Sequence, residues 1–266
     1  MKGSERYMTQ FDSLNIIVNG YDLFSRLGLK SYTIKNTSDK LYGVTRSMET
    51  QDSLNDEVYL TNFKNTRPTL DVELAKVDNW GNTATFTDND LDELARILFA
   101  QKVCKLEAGS LIYYGSFIDG TNWRNPNNEG FVCLKYELVS PYAYTVIYTD
   151  KKVITSNKII EIMNKSNVYD YSYLDVEIKQ LGTSPIKIEN ITTGESIKIN
   201  NIMLNEEVTV LSEYKEIFSS TNLDKNMFKN IEYNKHFLRM RYGKNRIKVT
   251  GNCICLFRYQ SKMFLK

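Results

Sequence analysis

Proline and histidine are the scarcest informative residues in this chain of 266, with four prolines and a single histidine. So little proline, beside only 13 glycines, excludes collagenous and low-complexity chains. The lone His236 leaves Ser-His-Asp or Cys-His catalysis one residue to be built around, and it stands in a polar stretch ahead of a strand, where solvent exposure is expected. Charge of one sign is also missing, since 34 Lys and Arg face 32 Asp and Glu. The net +2 comes without a basic stripe to neutralise phosphates, which argues against nucleic-acid recognition. No run approaches the ~20 apolar residues of a membrane span, and residues 1–6 contain no apolar signal core. Synthesis and folding in a reducing cytoplasm, away from membranes, is the expectation.

Chemistry-bearing patterns are equally sparse. Nothing resembles GxxxxGK[ST] or GxGxxG between a strand and a helix. Asp88, Asp90, Asp92 and Glu93 are splayed around a helix axis and lack the spacing of a calcium loop. Cys104 and Cys133 stand alone, while Cys253 and Cys255 alternate along a strand, their side chains about 7 Å apart and beyond the usual reach of a bridge. Four free thiols follow, with no metal, cofactor or catalytic residue and hence no enzyme. Trp80 and Trp123 fall in polar, turn-like segments where an aromatic plane could stack on a sugar.

What is present points to sheet. Aromatics reach 12%, with 18 Tyr and 12 Phe among frequent Val, Ile and Thr. Leu14 to Val18, stopped by Asn19-Gly20 and followed by Tyr21 to Leu23, reads as a strand, a turn and a return. Leu70 to Leu74 alternates with period two. One helix stands out: Thr87 caps it, acidic residues fill its first turn, and Leu91, Leu94, Ala95, Leu98 and Phe99 make an apolar stripe to dock on a sheet. Ser140-Pro141 suggests a boundary, because proline cannot donate to a ladder. Residues 1–139 then form an α+β domain of sheet plus one main helix, and residues 140–266 a mainly β domain, an antiparallel sandwich. Phe237 to Tyr242, Ile247 to Val249 and Cys253 to Tyr259 read as three consecutive antiparallel strands closing it. Residues 36–66 are long for a loop inside a domain. Leu41 with Val44 and Val58 with Leu60, separated by the polar run from Glu49 to Asp56, suggest a two-stranded arm that packs on a neighbouring subunit.

Five segments, in order, carry a resemblance. They are Ile16-Ile17-Val18-Asn19-Gly20-Tyr21-Asp22-Leu23, Tyr113-Tyr114-Gly115-Ser116-Phe117, Ser140-Pro141-Tyr142-Ala143-Tyr144, Ile191-Thr192-Thr193-Gly194-Glu195 and the run from Phe237 to Asn245. Together they resemble the distal tail protein family of long-tailed siphophages over about residues 10–260. The resemblance implies a ring-forming N-terminal domain, assembled as a hexamer at the distal end of the tail tube, and an outward galectin-like β-sandwich. Implied partners are the tail tube protein, the tail-tip hub protein and, in some phages, receptor-binding protein; the implied location is the virion tail tip. No site residue is carried over from the family. A different class of function is left open, a carbohydrate-binding module whose sandwich grips host cell-wall glycan.

Overall fold

The computed structural model describes residues 15–36, 46–52, 58–78, 80, 82–124 and 130–264. They belong to two compact units, one reaching Tyr144 and including Phe264, the other running from Thr145 to Met263. The division falls after Tyr144 instead of residue 139, and local bonds explain why. The Val139 amide donates to the Tyr114 carbonyl at 2.9 Å, and the Tyr144 ring meets Tyr114 edge-on with centroids 5.5 Å apart. Ser140 Oγ accepts from the Tyr142 amide and the Tyr144 hydroxyl, so the proline segment is bound into the first unit.

In the first unit seven strands run antiparallel in the order Tyr21–Asp22, Ile16–Val18, Cys104–Ala108, Leu111–Arg124, Gly130–Leu138, Thr69–Lys76 and Leu29–Asn36. Asn19 and Gly20 take left-handed conformations, φ 51° and 85°, and so close the first hairpin tightly. Asp22 then ends its strand and caps the short helix Leu23–Leu27, its Oδ1 accepting from the Phe24 amide at 2.9 Å. Val18, Leu106, Tyr113, Tyr136, Leu134 and Val72 follow one another across a single buried face. Tyr136 donates from that face to the carbonyls of Cys104 and Tyr113, and its burial raises its pKa. Beside it Gly115 has no substitute, because a Cβ there would stand 2.3 Å from the Glu137 carbonyl oxygen.

The long helix Asp88–Phe99 begins at Thr87, whose side chain accepts from the Asp90 amide while Asp90 accepts from the Thr87 amide. Burial acts to raise the Asp90 pKa, but hydrogen bonds from Lys76 and Thr87 outweigh it and hold the carboxyl low. The buried stripe is Leu94, Ile97 and Leu98, whereas Ala95 and Phe99 face solvent. The apolar face is therefore rotated from the expected one toward Ile97. The Cys104 thiol donates to the Leu98 carbonyl at 3.1 Å and ties the helix end to its sheet.

The second unit is a sandwich of two antiparallel sheets. One holds Tyr148–Ile154, Cys253–Tyr259, Ser172–Gln180, Glu207–Leu211 and Glu216–Ser219, with Arg239–Met240 on the end of Ser172–Gln180. The other holds Asn157–Asn164, Gly243–Thr250, Ile186–Asn190, Glu195–Ile199 and Ile231–Tyr233. Strict alternation supplies one core, in which Val176, Phe257 and Val210 meet Ile188, Ile197 and Val249. The closing strands do not form the expected meander. Gly243–Thr250 lies in one sheet and Cys253–Tyr259 in the other, joined through Gly251 at φ 130°, and Arg239–Met240 pairs with Ser172 and Tyr173.

Candidate interaction surfaces

Two of the segments that carried the resemblance meet in space. Asn190 Nδ2 donates to the Arg239 carbonyl at 2.6 Å and to Asn245 Oδ1 at 3.3 Å, and its own Oδ1 accepts from the Thr192 amide. Asn245 in turn bonds backbone at Arg241 and Gly243, fixing the turn between the strands. Arg239 gives two hydrogen bonds to Glu195 Oε1, at 2.9 and 2.6 Å, and lies over the Tyr171 ring at 4.3 Å. Glu195 is only 2% exposed, so this ion pair is a buried clasp between turns. Its chemistry is positional, because each group is occupied by a protein partner.

The arm has a definite backbone. Arg46–Asp52 pairs antiparallel with Val58–Asn65 in a two-stranded sheet of its own. Leu41 and Val44 lie outside the described residues; Val58 and Leu60 fall on the second strand. Glu49 to Asp52, expected to belong to the turn, is strand instead. Cross-strand polar pairing accounts for it: Glu49 takes the Lys64 ammonium and a 3.4 Å bond from Asn62, and Lys64 lowers the Glu49 pKa. Met48 is 64% exposed on this arm.

Of the residues weighed for chemistry, His236 is exposed, and no group of three His, Cys, Asp or Glu side chains that could hold a metal occurs among the described residues. All four cysteines are free. The Cys253 and Cys255 sulfurs approach to 3.5 Å, closer than strand spacing suggested, and the shared proton and burial push Cys255 up. Trp80 is 89% exposed on a turn where Asp78 Oδ1 accepts from the Trp80 and Asn82 amides. The Trp123 side chain lies outside the described residues.

A surface that sequence reading missed lies on the outward face of the six-stranded sheet. A concavity of about 530 Å³ is lined there by Ile254 and Leu256, by Thr209 and Ser220, and by Lys and Glu side chains. Lys179 meets Glu207 at 2.9 Å, and Arg258 meets Glu177 at 2.7 Å. Outward positions of strands read as ordinary solvated face; the signal was Ile254 and Leu256, apolar residues at outward parity next to buried Cys253 and Cys255.

Solved phage tail and baseplate proteins share this architecture. Residues 142–259 match the family model described as a phage tail C-terminal domain. The SPP1 Dit protein, described as a paradigm of the hub adsorption apparatus in phages infecting Gram-positive bacteria, superposes with a TM-score of 0.66 at 13% identity. That match covers 93% of this chain and 98% of the SPP1 protein. A chain of the phage P2 baseplate in its activated conformation with calcium superposes at 0.57 and 11% identity, covering 95% of this chain and 99% of that one. An SPbeta prophage-derived protein of Bacillus subtilis, YomH, is 32% identical over 162 residues, 57% of this chain. This chain spans 60% of that relative's length. Thus the chain shares the fold of the SPP1 Dit protein across both units, and its second unit carries the likeness to the phage tail C-terminal domain model.

Proposed function

We propose that this protein is the subunit of a hexameric ring at the distal end of the tail tube of a long-tailed phage or related prophage particle. The ring joins the tube to the tail-tip hub. The first unit builds the ring, and the second, a galectin-like sandwich, faces outward toward receptor-binding components. Its work is geometric and non-catalytic. The observation carrying this reading is a likeness that runs through both units and takes in nearly all of a hub protein's chain. The hairpin Arg46–Asp52 with Val58–Asn65 supports it, since a two-stranded sheet is marginal in water without a further surface to pack on. In a closed ring each subunit offers that surface to the next. Light scattering on the purified chain tests the proposal: six chain masses are expected, and a monomer at every accessible concentration would overturn it. The two units are also proposed to fold separately. Residues 145–263 expressed alone are expected to give a soluble protein with a cooperative melt, and an unfolded product would refute the division.

A further inference from the structure

We infer that the outward face of the six-stranded sheet is a saccharide-binding site, a function separate from ring assembly. The concavity of about 530 Å³ falls within the roughly 300–1,000 Å³ of small-molecule sites. Its floor is Ile254 and Leu256, half-buried neighbours on one strand. Register adds an aromatic rim: Glu177 faces Leu256 on one side and Thr209 on the other, and Thr209 pairs with Phe218. Phe218 therefore stands on the same face, 41% exposed, in the place where an aromatic plane can cover the apolar flank of a sugar ring.

The charges select the class of ligand. Lys151, Lys179 and Arg258 on this face are balanced by Glu177, Glu207 and Asp175, the last opposite Arg258 in register, so the face attracts neither polyanion nor polycation. Glu177 and Glu207 each hold a cation through Oε1, which leaves Oε2 to accept from a ligand hydroxyl. The Thr209 and Ser220 hydroxyls, 3.5 Å apart, add groups that both donate and accept. A neutral molecule with many hydroxyls and an apolar flank fits this lining, and the volume suits an oligosaccharide of about two to three rings. Val153, which pairs with Ile254 and is exposed, joins Ile254, Leu256 and Phe218 on this face, and four such side chains are too few to form the apolar centre of a stable protein contact.

Saturation-transfer NMR on the full chain with lactose, maltotriose and triacetylchitotriose, each at up to about 10 mM, tests the inference at the weak end of measurable affinity. At least one is expected to bind with a Kd on the order of 1 mM. Phe218→Ala and Glu177→Gln, both at outward positions, should each weaken that binding about tenfold with the melting temperature unchanged. Ile159→Ser, at an exposed position of the other sheet, should leave it intact. No binding by any probe, or binding indifferent to both face variants, would overturn the site. So would tighter binding of trigalacturonate than of the neutral sugars, or self-association abolished by Leu256→Lys. Ring assembly is read from mass alone, so the two proposals fail independently.

Discussion

In the sandwich unit both sheets turn their apolar faces inward, and Val176, Phe257, Ile188 and Val249 share one core. In the first unit a large sheet and a helix bury theirs, but the hairpin Arg46–Asp52 with Val58–Asn65 pairs with no third strand among the described residues. One unit is complete as a fold, while the other carries an element whose stability depends on what it meets. The proposed ring would use that contrast, with a sandwich that needs no partner and a first unit whose hairpin a neighbouring copy completes. Replacing residues 46–65 by a short Gly-Ser linker breaks the comparison most severely. The mass by light scattering is expected to fall from six chains toward one, with the melt of the sandwich unchanged. An intact hexamer would show that the hairpin is no brace.

Deleting packing atoms inside the complete unit is next in size. Phe257 is fully buried between the sheets, and Phe257→Ala is expected to cost about 3–5 kcal/mol. Urea denaturation followed by circular dichroism should show the loss in residues 145–263 alone, if the units fold separately. A loss shared equally by both transitions would mean one cooperative fold.

How far these features could be read from the sequence depends on how local their causes are. Thr87 was legible as a cap because its partner Asp90 is three residues away. The helix face was misjudged because a stripe through Leu91 and Phe99 fits the period as well as one through Ile97, and only the sheet decides between them. Strands such as Ile186–Asn190 were legible by alternation, but alternation is identical in both sheets, so the crossing at Gly251 was not. The buried clasp had left a trace. Glu195 shares parity with Ile197 and Ile199, Asn190 with Ile186 and Ile188, and Asn245 with Ile247 and Val249. A polar side chain at inward parity at a strand end marks where a core is closed by hydrogen bonds.

That clasp gives the third prediction. Arg239→Met removes the cation from Glu195 and leaves a carboxylate that is 2% exposed, at an expected cost of about 2–3 kcal/mol. The double variant Arg239→Met with Glu195→Gln should recover part of the loss. A double-mutant cycle with no coupling would show that the turns hold without the pair.

The smallest effect concerns Asp175, at an outward position in the same unit. Burial raises its pKa, and nearby Glu213 adds to this, against the lowering by the Ser212 amide and Arg258. The folded state thus holds the proton more tightly than the unfolded chain, whose aspartate titrates near about 3.9. The stability from this group is complete below that pH and is lost as pH rises through the higher folded value. Asp175→Asn keeps an oxygen to accept from the Ser212 amide, which lies 2.7 Å from Oδ1, and removes the ionisation. The variant should therefore match the parent at the acid end and exceed it at neutral pH, by no more than about 1 kcal/mol for a half-exposed group. Glu206 runs the other way: burial raises its pKa, but hydrogen bonds from Lys225 and the Met203 amide outweigh it and hold it low. Its contribution is present at neutral pH and lost as pH falls from the unfolded value through the lower folded one. Urea midpoints of parent, Asp175→Asn and Glu206→Gln across the acid range separate the two carboxyls, and a parent more stable than Asp175→Asn at neutral pH would reverse the sign assigned here.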